Sequence, residues 1–177
     1  MPLRGTAYFR RYTAGKPFNT LSSKAMRRAR HEDIPALVEL MASFYAESGY
    51  DLDRLYAEKA FATLLSNDNL GCVWLITDEG VNVGHVVVTF RFGMEYGGLI
   101  ACLDDLYVVP EHRNRGLGTA ALDHVRSFCE DSGICAITVE VAPDNGPAQR
   151  VYHRMGMAEA TGRQILVLPL AKPAHVV

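Results

Sequence analysis

The stretch "LDDLYVVPEHRNRGLGTAALDHV", residues 103 to 125, constrains the fold of this chain more than any other. A β-branched and aromatic run with two adjacent aspartates stops at Pro110 and crosses basic residues and two glycines. It then turns helical, with Leu117, Ala121, Val125 and Phe128 on one face. The helix ends near Ser132 and Gly133, and "ICAITVEVAP" (134–143) reads as a further strand. A helix joining two strands of one sheet implies a parallel crossover between them. The turn before the helix suits an anion. Glycines without Cβ let backbone N–H groups approach closely, and the positive end of the helix adds to the attraction.

Elsewhere the hydrophobic period divides the chain. Lys24 to Ala29 reads as a short strand, followed by "HEDIPALVELMASFYA", where Ile34, Leu37, Val38, Met41 and Tyr45 recur at helical spacing behind Glu32 and Asp33. A second helix follows Asp53, with Ala57, Phe61, Leu64 and Leu65 on one side. "CVWLIT" (72–77), "VGHVVVTFRF" (83–92) and "LIACLDDLYVV" (99–109), separated by glycine-containing turns, read as an antiparallel meander. Asn145 and Pro147 open a last helix that closes at Gly156, and "RQILVLPL" (163–170) is expected as a final strand.

Composition sets the class. With 177 residues, 49% of them hydrophobic and 21% charged, the chain is long enough for a full core and short enough for one domain. The expected division is a basic N-terminal extension, residues 1–23, before a domain at 24–177. Residues 1 to 30 carry eight of the eighteen Lys and Arg and none of the twenty Asp and Glu. That leader superficially fits a transit peptide; a lineage-specific extension is the preferred reading. The acidic body draws in cationic small molecules and discourages nucleic acid as a partner. No apolar run approaches a membrane span, so a cytoplasmic protein without a membrane partner is expected. Cys72, Cys102, Cys129 and Cys135 show no CxxC spacing and read as small core residues.

The acids in the strands pose a problem of their own. Consecutive strand residues point to opposite faces, so in an undistorted strand Asp104 and Asp105 cannot both lie outside the core of a covered sheet. A cleft is the cheaper answer to burial, and Glu140 inside "AITVEVA" raises the same question. His112, His124 and His153 lack metal-ligand spacing to a second ligand, so no metal is assigned. Trp74, Phe90, Phe92 and Tyr96 read as core and loop packing.

The glycine turn fits neither common nucleotide motif. Gly118 is followed by Thr119 and Ala120 rather than Lys-Ser/Thr, and no third glycine stands in dinucleotide phase. Instead Arg113-x-x-Gly116-x-Gly118, behind Leu106, Tyr107 and Val108 and ahead of an amphipathic helix, resembles the acetyl-CoA signature of the GNAT superfamily of N-acetyltransferases. "DNGPAQRVYHRMGM" is similar to that family's next motif, Asn-x-x-Ala-x-x-x-Tyr. The resemblance covers residues 24 to 170. It implies an α/β (α+β) fold whose central sheet is mixed, mostly antiparallel, splayed, and built of about six to seven strands flanked by about four helices.

What the resemblance implies for function is specific. Backbone N–H groups across Asn114, Arg115, Gly116, Leu117, Gly118 and Thr119 would hold the pyrophosphate of acetyl-CoA, the co-substrate, with Arg113 and Arg115 adding positive charge. The backbone of Leu106, Tyr107 and Val108 would pair with the pantetheine arm, and Asn145 and Ala148 would line the far side of the thioester. Tyr152, two helical turns from Asn145, would return a proton to the departing thiolate. Asn114 stands where many relatives have glycine. "LDDLYVVPEHRNRGLG" is also similar to spermidine/spermine and related diamine acetyltransferases. That likeness puts Asp104 and Asp105 at the acceptor site with Thr138 and Glu140 opposite: Asp104 and Glu140 to bind, Asp105 or a held water to take the proton. The implied partner is a small-molecule amine acceptor, and relatives' habits imply a homodimer. The competing readings are a non-catalytic acyl-CoA-binding or sensor domain and a protein Nα- or lysine acetyltransferase.

Overall fold

The computed structural model describes residues 26–160 and 165–170. One five-stranded sheet organises them, with β1 (Met26–Arg28), β2 (Gly71–Asp78), β3 (Val81–Gly93), β4 (Gly98–Val108) and β5 (Ala136–Val139) side by side in that order. The first four strands are antiparallel to their neighbours. β5 is parallel to β4, as the intervening helix requires. The helices are α1 (Ile34–Glu47), α2 (Arg54–Leu65), α3 (Leu117–Asp131) and α4 (Gly146–Arg154).

Local chemistry explains the element ends. Asp53 caps α2 by accepting a hydrogen bond from the Tyr56 N–H, and Asn145 caps α4 by accepting from Ala148 at 3.2 Å. The chain enters α1 through a 3-10 turn at His31–Asp33. There Asp33, only 7% exposed, accepts two bonds from the Arg27 guanidinium at 2.6 and 2.8 Å and one from the Arg30 N–H. Between β2 and β3 a two-residue turn places Glu79 and Gly80 at φ of 49° and 83°, the left-handed pair a tight hairpin demands.

Strand alternation builds two cores, one on each face. Val73, Leu75, Val87 and Tyr107 pack against Leu37 and Val38 of α1 and Phe61 of α2. Trp74, Ile76, Val86, Val88 and Leu103 pack against Leu122 and Val125 of α3, with Val151 and Tyr152 of α4 beside them. Each fully buried aliphatic side chain contributes about 1.5–3 kcal/mol by leaving water. Trp74 meets Phe128 edge-on, with centroids 5.1 Å apart.

Several expectations are corrected. The described residues form five strands, fewer than six to seven, because Ile165 to Leu170 add none; the strand expected at 134–143 is present but contracts to β5, whose pairing with β4 stops at Leu103 and Val139. Ile165 to Leu170 form no strand and lie exposed. No strand pairs with the outer side of β5 among the described residues, so these residues have no ladder to extend. Arg163 and Gln164, the leader 1–23, and Lys24 and Ala25 of the first strand lie outside the described residues. Cys72 and Cys129 are buried as expected, whereas Cys102 is half-buried and Cys135 exposed. Phe92 and Tyr96 are also exposed. Among the described residues no helix is long and apolar enough to cross a membrane.

Candidate active site

The pairing of β3 with β4 slips by one residue at the aspartates. Val87 faces Asp105, Val88 faces Leu103, and Asp104 is the extra residue of a β-bulge. The bulge removes the alternation that would send neighbouring side chains to opposite faces. Asp104 and Asp105 both line one cavity of about 860 Å³ on the α1–α2 side of the sheet. Met41 and Tyr45 of α1, Tyr56, Lys59 and Phe61 of α2, and Thr89 of β3 share its walls.

The electrostatics of this cavity are those of crowded negative charge. Asp104 is exposed as a residue, yet its carboxyl is packed closely enough that burial pushes it above the usual carboxylate range. A hydrogen bond from Thr89 opposes that rise, and the charges of Asp105 and Glu140 add to it. Burial, with the charges of Asp105 and then Asp104, pushes the Tyr45 phenol up to about 12. A cation entering here relieves both groups.

Beside the cavity the sheet parts. β4 continues to Val108, five residues past the last pair with β5, so among the described residues nothing pairs with its β5-facing edge along Leu106, Tyr107 and Val108. Glu140, the first residue after β5, is exposed and near enough for Asp104 to feel its charge. Thr138 is placed otherwise: its hydroxyl reaches the Ala101 carbonyl at 3.4 Å and Cys102 Sγ at 3.3 Å, a tie between strands. It is not part of the cavity wall.

At the far end of β4 a 3-10 turn, Pro110–His112, leads into the glycine turn. Asn114 (φ 60°) and Gly116 (φ 82°) both adopt left-handed backbone. Asparagine tolerates that conformation, so its place in the turn costs little. A Cβ added at Gly116 or Gly118 would meet no heavy atom within 4 Å, so both glycines border open space. The N–H groups of Leu117, Gly118 and Thr119 form the first turn of α3, where a helix supplies no internal acceptor.

The two arginines of the turn have carboxylate partners. Arg113 donates to the Val108 carbonyl at 2.7 Å and to both oxygens of Glu47 at 2.7 and 2.8 Å, stacked over the Tyr107 ring. Tyr107 donates its own hydroxyl to Glu47 at 2.8 Å. Arg115 and His112 share Asp78, at 3.2 and 2.8 Å. Both arginines thus brace the turn from behind. On α4, Ala148 supplies the N–H that Asn145 caps, and the half-buried Tyr152 ring packs on the α3-side core, where burial raises its phenol.

Sequence reasoning missed part of this site. Tyr45 belongs by spacing to a helical core stripe, and Tyr56 and Lys59 carry no motif. His85 went unremarked, although a histidine inside the apolar run "VGHVVV" is the sort of buried polar residue that calls for a partner. Among the described residues no cluster of His, Cys, Asp and Glu is arranged to hold a metal.

Comparison with known proteins agrees with this geometry. The sequence model of the acetyltransferase (GNAT) family matches residues 25–157. The crystal structure of integron cassette protein HFX_CASS3, from the mobile metagenome of Cole Harbour Salt Marsh, is 41% identical with a TM-score of 0.78, over 90% of this chain and 99% of that one. The uncharacterized N-acetyltransferase YhfO of Bacillus subtilis is 24% identical over 77% of this chain and 91% of its own length. The ribosomal protein bS18-alanine N-acetyltransferase of Escherichia coli is 34% identical over a shorter stretch, 36% of this chain and 43% of that protein. These likenesses carry the superfamily and not its diamine branch. The chain belongs to the GNAT family and is an acetyl-transferring enzyme.

Proposed function

We propose that the enzyme moves the acetyl group of acetyl-CoA onto the primary amine of a small cationic acceptor, with both substrates bound at once. The observation that carries this reading is the placement of Asp104 and Asp105 on one cavity beside the open edge of β4. A binding module for acyl-CoA alone has no use for adjacent cleft carboxylates.

Acetyl-CoA, when bound, supplies an activated acyl thioester. The N–H groups from Asn114 to Thr119 hold its pyrophosphate, the backbone of Leu106, Tyr107 and Val108 pairs with its pantetheine arm, and Asn145 and Ala148 flank the thioester. Asp104 and Glu140 attract the acceptor ammonium, and Asp105 takes one of its protons so that nitrogen can attack the thioester carbonyl. The second nitrogen proton leaves as the amide forms and replaces the one that Tyr152 delivers to the departing sulfur. The balance closes with one proton released through Asp105 to solvent.

A second acceptor class is favoured by the bS18-alanine relative: an N-terminal alanine is also an ammonium. Purified protein with acetyl-CoA is to be tested against spermidine, kanamycin and an alanine-starting peptide, reading thiol release. Turnover of the small amines, with an acceptor KM that rises with salt, is expected. Turnover of the peptide alone would replace the small acceptor by a protein. Cofactor binding without thiol release on any amine would return the chain to the binding modules.

A further inference from the structure

His85 stands within β3 with no exposed surface, and neither ring nitrogen has a hydrogen-bond partner. Three aromatic rings enclose it: Phe44 and Phe61 with centroids at 6.5 Å, and Tyr107 at 6.1 Å. An unpartnered polar ring at this depth destabilises the fold, where an aliphatic side chain would not. The polar group it approaches is catalytic in the reading above. His85 Nε2 lies 3.6 Å from Oδ2 of Asp105, whose side chain is 14% exposed and lines the cavity. The register produces this proximity. Asp105 is opposite Val87, and His85 shares Val87's face two residues earlier, so the two side chains meet on the diagonal.

We propose that His85 is a positioning residue for acyl transfer: its Nε2–H closes onto Oδ2 of Asp105 when an amine occupies the cavity, leaving Oδ1 for the acceptor. The proposal rests on Asp105 being the group that takes the acceptor's proton. At 3.6 Å the contact is longer than a hydrogen bond, as such contacts commonly are before substrate tightens them. The neutral Nε2–H tautomer suffices, since it donates one bond and buries no charge. A base whose orientation is fixed by a third group is a general feature of activated sites.

The other titratable groups facing the pair are Asp104 and Tyr107 on β4, Tyr45 from α1, Tyr56 and Lys59 from α2, and Glu140 beyond β5. All of them stay in place when His85 alone is changed. His85→Leu and His85→Gln in the full chain are to be compared using the fastest acceptor among spermidine, kanamycin and the alanine-starting peptide. His85→Leu is expected to melt at or above the wild-type temperature while kcat/KM for the acceptor falls roughly 10- to 100-fold. KM for acetyl-CoA should stay unchanged, and His85→Gln, which keeps an N–H donor, should recover part of the loss. Wild-type kinetics in His85→Leu would overturn the proposal, as would equal losses in both variants that follow a falling Tm. Asp105→Asn separates the two readings. Wild-type turnover there would remove Asp105 as the base, whereas an inactive Asp105→Asn beside an unaffected His85→Leu would remove only His85.

Discussion

Arg113 and Glu47 are joined by two hydrogen bonds, at 2.7 and 2.8 Å, across 66 positions of chain, tying the start of the glycine turn to the end of α1. Burial pushes Glu47 up, but the bonds from Arg113 and Tyr107 and the guanidinium charge outweigh it and hold the carboxyl below its usual range. Lysine offers one point charge for Arg113's three placed bonds. Arg113→Lys is therefore expected to lower Tm by about 2–4 °C, the shift for roughly 1 kcal/mol in a chain of this size. A lowered folded-state value means the tie contributes fully above the unfolded glutamate's pKa of about 4.3 and is lost as pH falls through the folded value. Melting curves from pH 7 to pH 3 should accordingly converge for wild type and variant.

Gly116 tests the proposed cofactor cradle. Its φ of 82° is strained for any residue with a Cβ, at about 1–2 kcal/mol, although a Cβ there would meet no neighbour. Gly116→Val should fold, melt a few degrees lower, and lose most of the thermal stabilisation that acetyl-CoA gives the wild type. An undiminished ligand shift would place the phosphates elsewhere.

The Tyr152 phenol, raised by burial, stays protonated beyond the ordinary tyrosine value of about 10. If it protonates the leaving sulfur, kcat should hold through pH 10 and fall only as pH passes that raised value. Tyr152→Phe should cost roughly 10- to 1000-fold in kcat with little change in the KM for acetyl-CoA. Equal turnover of the two proteins would hand the proton to water.

On the proposed reading, Asp104 trades stability for acceptor binding. A carboxyl raised in the folded state favours folding most below its unfolded value, and the fold weakens as pH rises through the folded one. At pH 7 Asp104→Asn should therefore melt about 1–3 °C higher than wild type, yet show a raised acceptor KM and an unchanged acetyl-CoA affinity. A variant that is both less stable and kinetically normal would make Asp104 a structural group.

How much of this was legible in the sequence depends on whether the signal was local. Ile34, Leu37 and Val38 announced α1, and Asn145 with Pro147 announced the start of α4, because period and capping act over a few residues. The bulge at Asp104 was visible only as a question, two adjacent acids in an apolar strand, since a register slip belongs to the pairing of β4 with β3 and not to either strand. Ile165 to Leu170, expected in a last strand, form none for the same reason: apolar composition supplies a strand former but no partner. Tyr45, Tyr56 and Lys59 were missed because a helical stripe does not reveal where a core ends and a cavity begins, and that boundary here is set by the sheet beneath.

The edge of β4 from Asp104 to Val108, unpaired with β5 among the described residues, has a bearing on handling. A sheet usually exposes its unpaired ladder at its outer margin, where charge or proline can blunt it. Here the unpaired side faces β5 within the sheet and follows the apolar run "LYV", with no proline before Pro110. Any extended segment able to reach it, including the tail of a neighbouring molecule, finds a template for intermolecular β-pairing. A pantetheine arm lying along that edge, as proposed, would occupy the template and deny it to a neighbouring chain.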